Sequence, residues 1–107
     1  MTYDAKYFHR FFSRIPEERW TTAACKRPDG TCCAIGHLGN ESMKNMNKKA
    51  LALAKCLKRL NSRLPLLPDE EIIYNVNDGL NECDELGCTP KERMLKALEL
   101  IQKGQPK

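Results

Sequence analysis

The sequence predicts a mainly α-helical fold, a compact bundle of four to five helices, and three observations support it. Apolar residues recur at intervals of three and four along most of the 107-residue chain, which is the period of an amphipathic helix. Residues that start and stop helices bracket these stretches. Strand is expected in one place only, as a short β-hairpin near residues 21–33.

The first helix is predicted from about Tyr3 to Ser13, because aromatic side chains recur there every four residues. Pro16 interrupts this pattern and opens a short helical turn, since proline suits the first helical position. Trp20, the only tryptophan, is expected to anchor this turn in the core. The alternative is an exposed tryptophan at a partner site.

The next region is the irregular part of the chain. Pro28-Asp29-Gly30 is typical of a tight turn, because proline sets φ and glycine accepts a positive φ. The short stretches on either side of this turn are the two arms of the expected hairpin. Residues 33–38 then predict a brief buried helix that stops at Gly39.

The clearest helix is predicted from about Ser42 to Arg63, with Pro65 and Pro68 ending it. One of its faces carries a narrow apolar stripe, which fits either the core of the protein or the seam of a homodimer. The stripe consists of Met46, Ala50, Leu53, Leu57, Leu60 and Leu64.

Two more helices complete the bundle. Acidic residues 69–71 open a short helix that Gly79 breaks, and an acidic loop runs from there to Cys88. Thr89 to Glu92 form a capping box that starts the last helix, which ends at Gly104. Residues 1–104 are therefore expected to form a single helical domain, and residues 105–107 a short tail.

Charge is strongly segregated along the chain. Residues 43–64 contain seven bases and no acid, whereas residues 65–90 contain seven acids and no base. A helical wheel places five cations opposite the apolar stripe, and this basic strip predicts binding to an acidic protein surface or to a nucleic-acid backbone. Its members are Lys44, Lys48, Lys55, Lys58 and Arg59. The alternative is a solvated helix face.

Of the two partners, an acidic protein is favoured. The net charge of +4 is mild, and the basic segment lacks the interleaved aromatic residues on which a single-strand binder stacks bases. The N-terminus has no signal-peptide pattern, so a cytoplasmic protein is expected. No apolar run reaches the roughly 20 residues of a membrane span, so no membrane association is expected.

The six cysteines are expected to be thiols in a reducing compartment. In a secreted chain, Cys25 with Cys32 and Cys83 with Cys88 would be plausible loop-closing disulfides. An alternative function is a Cys/His metal module, but the cysteine spacings are looser than those of zinc domains, and no metal or other cofactor is predicted. That module would use some of Cys25, Cys32, Cys33, His37, Cys83 and Cys88.

A further alternative is a small-molecule pocket between the tryptophan region and the Asn-Asp turn. Its candidate residues are Trp20, Cys33, His37, Asn77 and Asp78. The same residues contain the types needed for a thiol nucleophile, a base and an orienting group. Such a set arises often by chance and no glycine-rich oxyanion motif accompanies it, so the chain is not expected to be an enzyme.

Several short motifs resemble a group of small bacterial and phage proteins of unknown function. They are Trp20, Gly30, Cys33-Ala34-Ile35-Gly36-His37-Leu38, Asn77-Asp78-Gly79 and Thr89-Pro90-Lys91-Glu92. The resemblance covers roughly residues 15 to 102, and His37 replaces the small residue expected in that group. It implies a bacterial or phage origin, where small basic helical proteins are often accessory factors or inhibitors of host machinery. The resembling group has no enzymatic activity that can be transferred to this chain.

Overall fold

Five α-helices make up more than half of the residues that the structure describes, in line with the helical bundle that the sequence predicts. The computed structural model describes residues 3–22, 27–41, 46–60, 63–80 and 82–104, and these contain no strand. The helices are α1 (Ala5–Ser13), α2 (Ala34–Glu41), α3 (Met46–Leu57), α4 (Asp69–Asp78) and α5 (Pro90–Gln102). Among the described residues, short 3₁₀ turns lie between helices at Glu17–Arg19, Leu64–Leu66 and Cys83–Leu86.

One hydrophobic core joins the five helices. Helix α1 packs along α5, α3 packs along α4, and α2 contacts both α3 and α4. The radius of gyration is 12.4 Å, close to the roughly 13 Å expected of a folded chain of this length, so the prediction of a compact bundle is confirmed. The largest fully buried side chains are Phe8, Phe12, Leu38, Leu53, Leu57, Leu64, Ile72, Ile73, Met94 and Leu98.

Side-chain caps fix the starts of α1 and α5. The Asp4 carboxylate accepts a hydrogen bond of 2.8 Å from the Tyr7 amide, and the Thr89 hydroxyl accepts one of 3.2 Å from the Glu92 amide. The Glu92 carboxylate reaches back to the amide of Cys88 at 3.0 Å, one residue before the cap itself. The predicted capping box therefore starts α5, with its return bond displaced by one residue.

The predicted end of the long helix at Arg63 is wrong, because α3 ends at Leu57. The Leu60 amide donates to the Leu57 carbonyl three residues earlier, so the chain tightens into turns instead of continuing. Leu60 and Leu64 are still buried, because the turns direct both side chains into the core. The predicted start at Ser42 lies outside the described residues.

Two predictions for the irregular region also need correction. Gly39 does not stop α2, which continues to Glu41. The described part of residues 21–33 forms no β-hairpin but a single parallel bridge between Trp20 and Cys32. The chain turns at Pro28-Asp29-Gly30, where Gly30 has a φ of 90°, as predicted. A hairpin requires antiparallel arms, whereas these two residues run in the same direction. Residues 23–26 lie outside the described part.

Candidate functional site

Lys48 and Lys55 on α3 and Arg59 in the turn after it form an exposed cationic surface. The seven-residue spacing places Lys48 and Lys55 within about 20° of each other around the helix axis, and Arg59 lies two residues beyond the end of α3. None of the three has an ion-pair partner in the described part of the chain. We call these three residues the basic face. Lys44, the fourth cation predicted here, lies outside the described residues.

The other cations of the basic segment are engaged elsewhere. Lys58 pairs with Asp69 at the start of α4, with 3.3 Å between Nζ and the carboxylate. Arg63 and Glu82 lie 3.9 Å apart. Part of the acidic segment therefore neutralises part of the basic one, and Lys58, although predicted for the binding strip, lies at the edge of the basic face in an ion pair.

Lys49 is buried although it follows Lys48 directly. Its side chain is 4% exposed, and its Nζ lies 5.8 Å from the Tyr3 ring centroid and 6.0 Å from that of Tyr7. Aromatic faces attract a cation at such distances. This lysine therefore fastens α3 to the start of α1 and takes no part in the exposed surface.

Two residues that the sequence analysis missed border the basic face. Lys6 of α1 and Arg59 line the same shallow depression of about 450 Å³, which Asp4 also lines, so a second cation from α1 lies next to Arg59. Leu51 is 44% exposed and lies between Lys48 and Lys55 on the same side of the helix. An exposed leucine framed by lysines was visible in the sequence, but only the packing shows that it stays uncovered.

Of the residues predicted for the alternative pocket, the buried side chain of Asn77 bonds to Asp78 and to the backbone of Thr21 and Ala34, the chain neighbours of Trp20 and Cys33. The Asn77 Oδ1 accepts a hydrogen bond of 3.1 Å from the Ala34 amide at the start of α2. Its Nδ2 donates to the Thr21 carbonyl at 2.9 Å and to the Asp78 carboxylate at 2.8 Å. Asn77 thus links three segments of the chain and is fully buried, so its polar atoms are committed to the fold.

A buried arginine, which was not predicted, binds the backbone of Asn77. Arg93 is 8% exposed and donates two hydrogen bonds, of 3.1 and 2.8 Å, to the carbonyl of Asn77. A third bond of 3.2 Å goes to the Gly87 carbonyl. The cation sits at the C-terminus of α4, where the helix dipole favours positive charge. Its position in the first turn of α5 gave no sequence signal beyond that of an ordinary surface base.

Trp20 and His37 pack against each other at the other end of this region. The ring centroids are 4.8 Å apart, the indole also contacts Phe12 at 5.3 Å, and Trp20 is 7% exposed. Trp20 is therefore a core anchor, as predicted. Burial lowers the pKa of His37 and the charge of Arg19 adds to this, while the carbonyls of Arg19 and Cys32 oppose it. The His37 Nε2 is buried and has no hydrogen-bond partner among the described residues.

The described cysteines are all free thiols, so the conditional pair of Cys83 and Cys88 is not formed. Burial, helped by Asp84, raises the pKa of Cys83 to about 11, which keeps this thiol protonated at neutral pH. No group of three Cys, His, Asp or Glu side chains in the described chain is close enough to hold a metal ion. Cys25, a candidate ligand and a candidate disulfide partner of Cys32, lies outside that part.

The described residues form a small all-α domain with an exposed cationic surface on α3 and the turn after it. Comparison with models of known protein families, with curated proteins and with solved structures gives no match. The resemblance to small bacterial and phage proteins therefore stays a prediction. Across the described residues, no helix is long and apolar enough to cross a membrane.

Proposed function

We propose that this chain is a non-enzymatic binding module that engages an acidic protein surface through the basic face of α3. The supporting observation is the division of charge within one segment. Lys58 is ion-paired and Lys49 is buried against aromatic rings, whereas Lys48, Lys55 and Arg59 point into solvent without an ion-pair partner in the described part.

An acidic protein fits this surface better than a nucleic acid does. Lys48 and Lys55 lie about 10 Å apart along the axis of α3, from the 1.5 Å rise per residue, and Leu51 lies between them with 44% of its surface exposed. Protein interfaces combine an apolar centre with a polar rim. Sequence-independent nucleic-acid binding depends instead on many phosphate contacts and, for single strands, on exposed aromatic residues.

Charge alone does not give useful affinity here. Three exposed ion pairs contribute about 0.2–1 kcal/mol each, which together is less than the roughly 4 kcal/mol of a millimolar complex. Burying a fully exposed leucine adds about 1.5–3 kcal/mol, and Leu51, with 44% of its surface exposed, adds about half of that. The proposal therefore assigns Lys48, Lys55 and Arg59 to steering and orientation, and Leu51 to anchoring.

The test is affinity capture from a bacterial lysate with and without nuclease, followed by titration of the purified partner. Lys48→Glu/Lys55→Glu/Arg59→Glu is expected to lose a partner that survives nuclease. Leu51→Ala is expected to weaken the same complex about tenfold, mainly through faster dissociation. All substituted side chains are exposed, so the variants keep the circular dichroism spectrum of the wild type.

Matched variants separate a specific face from general charge. Arg10→Glu/Lys91→Glu/Lys96→Glu changes the net charge by the same amount as the reversal of the basic face, but at positions on α1 and α5. Leu66→Ala removes a leucine that is 83% exposed. Both controls are expected to bind as the wild type does. Nuclease-sensitive capture would move the function to nucleic-acid binding, and capture that the α3 reversal leaves unchanged would make the basic face a solvated surface.

The wider setting of this activity rests on the resemblance described above. In a phage or bacterial cell, a small module of this kind acts as an accessory factor or as an inhibitor of host machinery. Homodimerisation stays a prediction, although Leu53, Leu57, Leu60 and Leu64 of the apolar stripe are buried in the core of one chain. Sedimentation equilibrium measures the oligomeric state directly.

A further inference from the structure

A second cationic place lies on another part of the surface, where α1 ends. A cleft of about 270 Å³ opens between the end of α1, the turn at Glu17–Arg19, the turn at Gly30 and α2. Its volume is just below the roughly 300–1,000 Å³ of sites that hold drug-sized ligands, so it suits a smaller molecule. The lining residues are Arg14, Ile15, Pro16, Arg19, Gly30 and His37.

The cleft has two cations and no acid in its lining. Arg14 and Arg19 are exposed, and neither pairs with a carboxylate of the described chain. Two acids close to the cleft in sequence have other partners: Glu17 accepts a 2.5 Å hydrogen bond from the Thr89 hydroxyl, and Asp29 accepts from the amide and hydroxyl of Thr31. Glu18, directly before Arg19, is exposed and does not line the cleft. The two guanidinium groups therefore retain their donors for a ligand.

The buried wall of the cleft adds an unpartnered polar atom. His37 is 6% exposed, and its Nε2 is buried without a hydrogen-bond partner in the described part. Buried polar side-chain atoms are nearly always paired with protein, water or a ligand. Trp20 packs against the imidazole at 4.8 Å and holds the ring in place. The cleft lining therefore combines Arg14 and Arg19 with an imidazole whose Nε2 has no partner in the described part.

We propose that this cleft binds a small oxyanion, the phosphate or carboxylate group of a small molecule. Arg14 and Arg19 supply the charge and the forked N–H donors that match such oxygens. His37 supplies the third polar contact from the buried side. This site is separate from the basic face of α3, and it differs from the predicted pocket because neither Asn77 nor Asp78 lines it.

The two histidines make the proposal testable by NMR. His37 and His9 are the only histidines of the chain, and His9 is not among the residues that line the cleft. The Cε1–H signals are followed through a pH titration in chloride, in acetate and in inorganic phosphate at equal ionic strength. A bound oxyanion stabilises the imidazolium form, so the pKa of His37 is expected to rise by about one unit, a tenfold preference of the anion for that form.

Two variants and the choice of anion determine the outcome. Arg14→Gln/Arg19→Gln is expected to abolish the rise, whereas Arg10→Gln, an exposed arginine outside the cleft, preserves it. A response to phosphate alone identifies a phosphate site, and a response to acetate as well identifies a general oxyanion site. The proposal is overturned if His37 responds no more than His9 does, or if the double variant responds as the wild type.

Discussion

The long-range hydrogen bonds of the buried Asn77 side chain are expected to stabilise the fold strongly, and Asn77→Ala tests this expectation. The substitution leaves the Ala34 amide and the Thr21 carbonyl without their partner. A buried polar group left unsatisfied costs about 1–3 kcal/mol. Thr21 is only half-buried, so water reaches part of it. The Ala34 amide and the Thr21 carbonyl are therefore each assigned a cost in the lower half of that range, about 1–2 kcal/mol. The expected loss of unfolding free energy is therefore about 3 kcal/mol.

This loss is large for a domain of this size. Total stability of such domains is about 5–15 kcal/mol, and 1 kcal/mol shifts the Tm by about 4–8 °C, so the Tm is expected to fall by roughly 12–24 °C. Urea unfolding followed by tryptophan fluorescence and by circular dichroism measures the change. Trp20 is the only tryptophan and precedes Thr21 directly, so the fluorescence reports on the segment that Asn77 holds.

Asn75→Ala is the matched control on the same helix. Asn75 is also buried, at 6% exposure, and its Nδ2 donates to the Glu71 carbonyl one turn earlier in α4. That bond lies within one helix, and the carbonyl keeps its backbone partner when the side chain is removed. A loss of about 1 kcal/mol is expected. If Asn77→Ala costs no more than Asn75→Ala, the long-range bonds of Asn77 do not stabilise the fold and the reasoning is refuted.

Three further predictions concern single positions. Gly79→Ala is expected to lower the free energy of unfolding in urea by about 1 kcal/mol more than Gly104→Ala does. Both glycines have a positive φ, but only a Cβ at Gly79 would press on the buried Arg93, at 3.1 Å. Equal losses of unfolding free energy would contradict this. The free energy of unfolding is expected to fall as pH drops below about 6.5. His37 then binds a proton in the unfolded chain but not in the folded protein, where its pKa is lowered. The same dependence of unfolding free energy on pH in His37→Asn would refute this. Iodoacetamide is expected to label exposed Cys88 long before buried Cys83, whose pKa is about 11, and peptide mass mapping that finds equal rates would overturn this.

The helix ends that were predicted correctly are those set by local chemistry. Thr89 caps α5 through its own hydroxyl, Gly104 adopts a positive φ of 69° just beyond it, and Gly79 does the same at 74° after α4. Each of these signals acts within four residues of the boundary that it sets. A reader of the sequence therefore has all the information needed to place them.

The ends that were predicted wrongly depend on contacts between distant residues. The apolar period continued through Leu60 and Leu64, and both are buried, but they reach the core from turns instead of from α3. Periodicity predicts burial more directly than it predicts the backbone path between buried residues. Gly39 in α2 is the reverse case, since packing in the core outweighs a helix penalty of about 1 kcal/mol.

The candidate site was predictable in composition but not in detail. The sequence shows a run of bases followed by a run of acids, and this segregation suggests a basic surface. It does not show that Lys58 meets Asp69 or that Lys49 lies over two tyrosine rings. Those contacts depend on the packing of α3 against α4 and α1. The cleft beside His37 was likewise invisible, because its two arginines come from separate elements.

A row of cations on α1 lies between the two proposed sites, the basic face and the cleft beside His37. The effect of one site on the other therefore depends on the salt concentration at which binding is measured. Lys6 borders the basic face, Arg14 lines the cleft, and Arg10 lies between them on the same side of the helix. Lys6 and Arg14 are about 12 Å apart along the axis, which exceeds the Debye length of about 8 Å at physiological salt but not the roughly 30 Å at 0.01 M. At physiological salt, charge reversal on α3 should therefore leave oxyanion binding at His37 unchanged, whereas at low salt it would weaken binding through the field alone.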